Sequence, residues 1–133
     1  MPLKMFISSA PRDSDLARDL EKRLNKAGLQ VISPHPTKGV KENVRARIDG
    51  EALRAADEVI ALLTKNSSDS SWLLFEIGYA ASLGKRVTPL IQGIEPKELP
   101  KIIKQMEYVR YAGLDKYISK LQRRAEELSR SAA

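Results

Sequence analysis

The sequence contains no cysteine, and His35 is the only histidine among its 133 residues. The lack of cysteine excludes disulfide bridges, thiolate nucleophiles and metal sites with cysteine ligands. A single histidine argues against a histidine-based metal site and against a Ser-His-Asp triad. We therefore predict no metal site and no resident cofactor, and we expect any catalysis to depend on carboxylates, hydroxyls and backbone groups.

Aromatic residues are also scarce, with two phenylalanines, one tryptophan and four tyrosines. The net charge is +6, and the 23 basic residues are dispersed among 17 acidic ones. A nucleic-acid-binding surface usually concentrates positive charge and adds aromatic rings that stack on bases. We therefore expect no specific binding to nucleic acid, and the charge would serve an anionic small ligand or solubility equally well.

No apolar run is long enough to span a bilayer, and Met1–Lys4 leads into a strand-like segment instead of a signal peptide. A hydrophobic fraction of 42% and a charged fraction of 30% are typical of a soluble globular protein. The length predicts one domain over residues 1–133. We expect a cytoplasmic location and no membrane partner.

Short apolar segments alternate with helical patterns along the chain. Predicted strands are Leu3–Ser8, Leu29–Ser33, Glu58–Thr64, Arg86–Ile91 and Tyr108–Tyr111. Predicted helices run from Asp13 or Ser14 to Ala27, Asn43 to Ala56, Trp72 to Leu83 and Leu114 to Leu128, with a helical turn at Lys101–Met106 and a frayed end at Ser129–Ala133. This alternation predicts an α/β fold with a five-stranded parallel sheet, order 2-1-3-4-5, and helices on both faces.

Ligands of such sheets bind beyond the carboxyl ends of the strands, where the strand order reverses. This rule predicts one crevice surrounded by three segments, Ser8–Asp13, Pro34–Glu42 and Ser67–Trp72. The second segment is an exposed loop, because its two prolines and one glycine do not suit a regular element. On the following helix Val44, Ile48, Ala52 and Ala55 share one face, although Gly50 weakens the helical pattern.

Glu76 is the only charged residue between Asp69 and Lys85. Its helix has hydroxyl N-caps at Ser70 and Ser71 and a C-terminal glycine at Gly84. The helix is apolar all round, so we expect neighbours to cover it on most sides. Helical spacing places Glu76 on one stripe with Trp72 and Tyr79, between aromatic rings instead of counter-charges. Such a site favours the neutral acid or a carboxylate that awaits a cation, although the position also fits a lone surface glutamate.

Several motifs appear in order along the chain: Phe6–Ser8, Ala56–Thr64, Asn66-Ser67, Ser71–Glu76 and Gly84-Lys85. Together they resemble a stand-alone bacterial TIR (Toll/interleukin-1 receptor-like) domain over nearly the whole chain. The most specific part is the WxxxE arrangement of Trp72 and Glu76, directly after Asn66-Ser67. The resemblance implies a flavodoxin-like three-layer sandwich.

The resemblance also implies an activity, the cleavage of NAD⁺ at the nicotinamide–ribose bond in bacterial defence or signalling. The product would be ADP-ribose or a cyclic isomer, and NAD⁺ would be a substrate, not a cofactor. Glu76 takes the catalytic position, and the expected substrate-binding residues are Ser8, Ser9, Arg12, Lys38, Gly39 and Trp72. Pro34–Glu42 corresponds to a loop that contributes to self-association in this family. Ser9 and Ala10 stand where many relatives have an aromatic residue, which is a departure from the pattern.

Two other interpretations stay open. Phe75–Lys85 also resembles a helix of nucleoside deoxyribosyltransferase-like proteins, which act on nucleosides through a glutamate. Ser71-Trp72 before that helix argues against this class, whose members have an acidic, glycine-rich approach. Alternatively, the chain is an interaction module without turnover, in which Glu76 has a structural role.

Overall fold

Five strands and five helices alternate along the part of the chain that the structure describes. The computed structural model describes residues 2–34, 39–67 and 70–132. The strands are β1 (Lys4–Ser8), β2 (Gln30–Val31), β3 (Glu58–Leu63), β4 (Arg86–Ile91) and β5 (Val109–Arg110). The helices are α1 (Ser14–Lys26), α2 (Glu42–Ala55), α3 (Ser71–Ser82), α4 (Lys101–Lys104) and α5 (Leu114–Ala132). Single turns of 3-10 helix occur at Pro11–Asp13, Pro96–Glu98 and Tyr111–Gly113.

All strands are parallel, and their order in the sheet is 2-1-3-4-5, which confirms the predicted topology. β3 is buried along its whole length and pairs with both β1 and β4. The edge strands are shorter than predicted. β2 ends at Val31 because, further along, the Ile7 N–H donates to the Ser33 hydroxyl (2.5 Å) instead of to a backbone carbonyl.

Helices cover both faces of the sheet. On one face, α1 and α5 pack on β1, β3 and β4 through Leu3, Met5, Ile7, Leu20, Leu24, Leu29, Ile60, Leu62, Leu90, Leu114, Tyr117, Ile118 and Leu121. On the other face, α3 and the α4 region pack on β3 and β4 through Ala61, Leu63, Leu73, Ile77, Ile91, Leu99 and Ile103. Phe6, Leu53, Ala56, Val59 and Ala80 join α2 and α3 to the same face.

The outer helices α1 and α5 bury the faces that their apolar spacing predicts. Leu20 and Leu24 of α1 and Leu114 and Leu121 of α5 are fully enclosed. The C-terminal prediction was wrong, since α5 continues to Ala132 instead of fraying from residue 129. None of the helices in the described ranges is both long enough and apolar enough to cross a membrane.

The apolar residues that share one face of α2 are only partly covered, since Ala52 alone among them packs half-buried against the core. Val44 and Ile48 are exposed, whereas Asp49, Gly50 and Leu53 are buried. A Cβ atom at position 50 would meet the Tyr79 ring at 3.4 Å, so glycine at this position allows close contact between α2 and α3. At this close contact α2 buries Asp49 and Gly50 together with Leu53.

The ends of α3 agree with the sequence prediction, but the extent to which neighbours cover the helix does not. The Ser70 hydroxyl accepts the Leu73 N–H (3.2 Å), and Gly84 has a positive φ of 73°, as a C-terminal glycine does. The expectation that neighbours cover this helix on most sides was wrong. Leu74 and Phe75 are 43% and 47% exposed, because α2 and the sheet cover only one side.

A buried ion pair links β3 to α5 at the end of the sheet opposite the strands' carboxyl ends. Arg124 donates to both oxygens of Glu58, at 2.6 and 2.9 Å, and Glu58 is buried. The bidentate geometry satisfies a carboxylate that would otherwise be enclosed without a partner.

We expect Glu58→Ala to lower the free energy of unfolding by about 2–3 kcal/mol, because Arg124 would stay partly buried without its partner. The matched control is Asp115→Ala, which removes the exposed pair with Arg23 (2.9 Å) and should cost less than about 1 kcal/mol. Urea denaturation of the three proteins measures both effects. Equal losses for the two variants would contradict this account.

Candidate active site

A cleft of about 300 Å³ lies at the carboxyl end of β1. Its walls come from the loop after β1, the start of α1, the segment after β2, and side chains of α2 and α3. The lining residues are Phe6, Ile7, Ser9, Ala10, Pro11, Ser14, Ala17, Arg18, Glu21, Ser33, Pro34, Arg45, Asp49 and Glu76. This place in the sheet, where the strand order reverses, is where α/β proteins of this topology bind ligands.

Two of the three predicted walls contribute to this cleft, and the described residues of the third do not. Ser9–Pro11 and Pro34 line it. Residues 70–72 instead line a separate groove, together with Arg12, Lys65 and Asn66. The loop after β1 divides the two spaces, because its residues Ala10 and Pro11 line both.

Glu76 lies in the second turn of α3 and points into the cleft. Its side chain is enclosed, with 3% of the residue exposed. The Ser8 hydroxyl, at the last position of β1, donates to Glu76 Oε1 (2.9 Å). Ser8 is itself fully buried, so β1 and α3 together hold the carboxyl group in place. The alternative that Glu76 is a lone surface residue is therefore wrong.

Burial is the main reason why the pKa of Glu76 is raised to about 8. The nearby Asp49 carboxyl contributes to this rise, whereas the Ser8 hydrogen bond and the Arg45 charge oppose it. In the free protein at neutral pH the carboxyl group of Glu76 is therefore mainly protonated. This is the neutral acid that its sheltered position favours.

The surroundings of Glu76 are more polar than its sequence neighbours indicate. Asp49 of α2 is buried and accepts a hydrogen bond from the Trp72 indole N–H (3.1 Å). Arg45, one turn earlier on α2, lies 3.5 Å from the same Asp49 oxygen, and its guanidinium group stacks over the Trp72 ring at 4.6 Å. The prediction that Glu76 lies between aromatic rings, away from charges, was therefore wrong.

The aromatic side chains of α3 instead form a row on its outer side. Trp72 and Phe75 lie 5.4 Å apart, and Phe75 stacks on Tyr79 at 6.2 Å. Tyr79 also contacts Arg54 of α2, which donates to its hydroxyl (2.5 Å). The row contacts α2 from the side. Glu76 lies on the inner side of α3, away from this row.

Asp49, Arg45 and Arg18 are cleft residues that the sequence prediction missed. Asp49 and Arg45 were missed because they lie outside the apolar stripe of α2, where charged residues are usually exposed to solvent. Gly50 was the available signal, since a glycine within a helix can mark close packing against a neighbour. Arg18 lies next to an apolar position of α1. It belongs to no sequence motif that would distinguish it from the other charged residues of this helix.

The residues expected to bind substrate are separated by the fold. Ser9 lines the cleft beside Glu76, whereas Ser8 is buried beneath it with its hydroxyl bonded to the glutamate. Arg12 is exposed in the separate groove, and Trp72 borders that groove while its N–H bonds Asp49. Gly39 is exposed with a φ of 88°. Lys38 lies outside the described residues.

A second link holds the two loops at this edge of the sheet. Asp13, buried after β1, accepts hydrogen bonds from the Thr64 hydroxyl and the Asn66 amide, both at 2.7 Å. Thr64 and Asn66 follow β3 and precede α3. Within the described ranges no three carboxyl or imidazole groups lie close enough together to hold a metal ion.

Proteins of known structure share this fold. The TIR domain of the Toll-related receptor TRR-2 from Hydra magnipapillata is 18% identical, with 96% of this chain and 95% of that chain covered and a TM-score of 0.66. A 2-deoxyribosyltransferase from Bacillus psychrosaccharolyticus is 21% identical, with coverage of 79% and 84% and a TM-score of 0.65. The CMP N-glycosidase BcmB from Clostridium botulinum is 22% identical, with coverage of 89% and 97% and a TM-score of 0.61. At these identities the likeness concerns the fold alone.

Sequence comparison separates the family from its structural neighbours. No curated protein sequence matches the chain. The sequence pattern of the TIR domain matches residues 5–125, which include all of the sheet except Lys4 of β1, and the WxxxE segment with Glu76. This match covers most of the chain, and the chain therefore belongs to the TIR domain family.

Proposed function

We propose that the protein is an NAD⁺ glycohydrolase that cleaves the bond between nicotinamide and ribose. The observation that carries this proposal is the enclosed carboxyl group of Glu76, which the Ser8 hydroxyl holds at the base of the cleft. The products are nicotinamide and ADP-ribose or a cyclic isomer. In this proposal Glu76 is the catalytic residue.

The chemistry of this bond suits a site with one principal carboxylate. Nicotinamide is already a pyridinium cation in the substrate and leaves as a neutral molecule, so its departure needs no proton donor. Positive charge develops on the ribose instead. An anionic Glu76 in an enclosed site would stabilise that charge and could accept hydrogen bonds from the ribose hydroxyls.

The dimensions of the cleft suit part of the dinucleotide. About 300 Å³ is at the lower end of the range for small-molecule sites, so the cleft would hold the nicotinamide and its ribose. Ser9 and Arg18 lie on the same walls and offer a hydroxyl and a cation to the adjacent phosphate. The rest of the dinucleotide would extend over the rim.

A nucleotide N-glycosidase activity is the second candidate. Two enzymes that act on N-glycosidic bonds share the fold, and the protonated Glu76 could deliver a proton to a leaving base. A pyrimidine base needs that proton, whereas nicotinamide does not. The two candidates therefore require opposite charge states of the same residue.

An interaction module is the third candidate. Apolar side chains are exposed on α2 and α3, among them Val44, Ile48 and Phe75. Such an apolar surface is typical of a contact between proteins. Incubating the purified protein with NAD⁺, with nucleosides and with CMP separates the three candidates, because only the interaction module releases no base.

We expect Glu76→Gln to reduce the rate of nicotinamide release by roughly 10²-fold or more, because the amide cannot become an anion. The variant should not be less stable. The pKa of Glu76 lies near 4.5 in the unfolded chain and near 8 in the folded protein, so the wild type loses stability as pH rises between these values. The neutral amide has no such loss, and its melting temperature should exceed that of the wild type at pH 8.

The matched control is Glu51→Gln, an equal charge change at an exposed position of α2. It should leave turnover and melting temperature close to the wild-type values. An active Glu76→Gln variant of normal stability would contradict the catalytic assignment. A variant that loses both activity and stability would indicate a structural role for Glu76.

The pH dependence distinguishes the first two candidates. For NAD⁺ cleavage, kcat/KM should rise about tenfold per pH unit below about pH 8 and level off above it, because only the anion of the free enzyme is active. For a reaction that needs the protonated acid, kcat/KM should fall above that pH. Initial rates from pH 6 to 9.5 with NAD⁺, nucleosides and CMP provide the comparison.

Self-association is a further part of the proposal, because the exposed apolar side chains of α2 lie next to the cleft. We expect the turnover per molecule to fall on dilution below the concentration at which the protein assembles. Sedimentation velocity gives that concentration, and nicotinamide release across the same range gives the turnover. A constant turnover per molecule would contradict a link between assembly and activity.

A further inference from the structure

Arg45 lines the cleft, and the proposed reaction gives it no role. It lies on α2, and its side chain is 28% exposed. Its Nε atom is buried, and within the described ranges no protein group accepts a hydrogen bond from this atom. A buried charged donor without an acceptor is uncommon in native proteins, so pairing within the fold does not explain this side chain.

Two neighbours hold Arg45 in place. Its guanidinium group lies over the Trp72 ring at 4.6 Å, and its Nε atom lies 3.5 Å from an oxygen of Asp49. The Trp72 indole N–H donates to that same oxygen at 3.1 Å. These contacts between α2 and α3 fix a planar cation in the wall of the cleft before any ligand enters, which lowers the entropic cost of binding an anion there.

The charged side chains of the cleft differ in depth. The acids Glu76 and Asp49 are buried, whereas Arg45 is partly exposed and Arg18, on the α1 wall, is exposed. Glu21, the third acid that lines the cleft, is half-buried and already has an interaction of its own. The floor is therefore acidic and the more exposed part basic, which suits a ligand with a cationic inner end and an anionic outer end.

A phosphate group is the anion that best suits the basic part of the cleft. The guanidinium group of arginine is planar and can donate two parallel hydrogen bonds to a phosphate, in a geometry that a point charge does not reproduce. In a nucleotide the 5′-phosphate is attached to the ribose that carries the base. A ribose held at Glu76 would therefore direct its phosphate away from the acidic floor.

We propose that Arg45 is a specificity-determining residue that binds the 5′-phosphate of the substrate, so that the cleft accepts nucleotides and discriminates against nucleosides. Arg18 contributes a second cation from the opposite wall. Trp72 is a positioning residue, because it acts through Arg45. This inference rests on the proposed function and specifies its substrate class, a ribosyl 5′-phosphate with a positively charged leaving group.

The inference gives the two residues of the WxxxE segment complementary tasks. Glu76 faces the ribose, whereas Trp72 supports the arginine that holds the phosphate. Trp72 therefore affects the substrate without stacking on it.

The first experiment compares nicotinamide mononucleotide with nicotinamide riboside, which differ by the phosphate group and share the pyridinium leaving group. Binding of each to Glu76→Gln, which should not consume them, is measured by isothermal titration calorimetry. The mononucleotide should bind at least about tenfold more tightly, as expected for charge-assisted hydrogen bonds. Equal affinities would overturn the proposal.

The second experiment removes the cation in the same Glu76→Gln background. Arg45→Gln should weaken binding of the mononucleotide about tenfold and leave binding of the riboside unchanged. Arg45→Lys keeps the charge without the planar fork, so its preference for the mononucleotide should be intermediate. The matched control is Arg47→Gln, an equal charge change at an exposed position of α2, which should keep the full preference. An equal loss for both ligands in Arg45→Gln would indicate a structural role and overturn the assignment.

Two variants test the positioning role of Trp72. Trp72→Leu removes both the ring and the N–H, and it should reduce the preference for the mononucleotide. Trp72→Phe keeps a ring beneath the guanidinium group and should retain more of that preference. Melting curves identify variants that do not fold. An unchanged preference in folded Trp72→Leu would overturn this role, and if Arg45→Gln does not fold, Arg45→Lys and the comparison of the two ligands still decide the main proposal.

The binding measurements need no turnover, so the inference and the proposed function can fail separately. A protein that does not cleave NAD⁺ can still prefer a nucleotide, and CMP with cytidine provides a second pair that tests the same preference. An active NAD⁺ glycohydrolase that binds the mononucleotide and the riboside equally would refute the inference alone.

Discussion

The enclosure of one ionisable group, the carboxyl of Glu76, is the constraint on which the rest of the site depends. An isolated carboxylate in that position would be costly, so the group needs a fixed donor and a proton or a cation. Ser8 is a fixed donor because it ends a strand that is paired on both sides. The apolar residues packed on the two faces of the sheet offset the free-energy cost of enclosing this polar group.

The sheet and its outer helices could be predicted because their signals are local. β3 is apolar on both faces, as a central parallel strand is, and α1 and α5 have regular apolar spacing. The ends of α3 were also readable, since Ser70 and Gly84 act within one turn of the helix. Glu76 stood out for a similar reason, as a lone charge within an apolar segment.

The arrangement around Glu76 could not be predicted in the same way, because it depends on contacts between elements. On α2 the apolar Val44 and Ile48 are exposed, and the close contact at Gly50 brings the helix near enough to α3 for Asp49 to accept the Trp72 N–H. β2 is short because the Ser33 hydroxyl, instead of a backbone carbonyl, accepts the Ile7 N–H. The periodicity of the sequence does not reveal such an exchange of hydrogen-bond partners. Arg12 and Trp72 belong to segments that were predicted to surround the cleft. The loop after β1 nevertheless separates Arg12 from it.

The Asp13 link has a mechanical consequence. By holding Thr64 and Asn66, it joins the two segments that follow β1 and β3, so these parts of the sheet edge have little freedom to move apart. The opposite wall is held in another way, because α2 is joined to α3 by the Trp72–Asp49 and Arg54–Tyr79 hydrogen bonds. One wall of the cleft is therefore tied to the sheet edge and the other to the helix that carries Glu76, so the position of Asp49 follows that of α3.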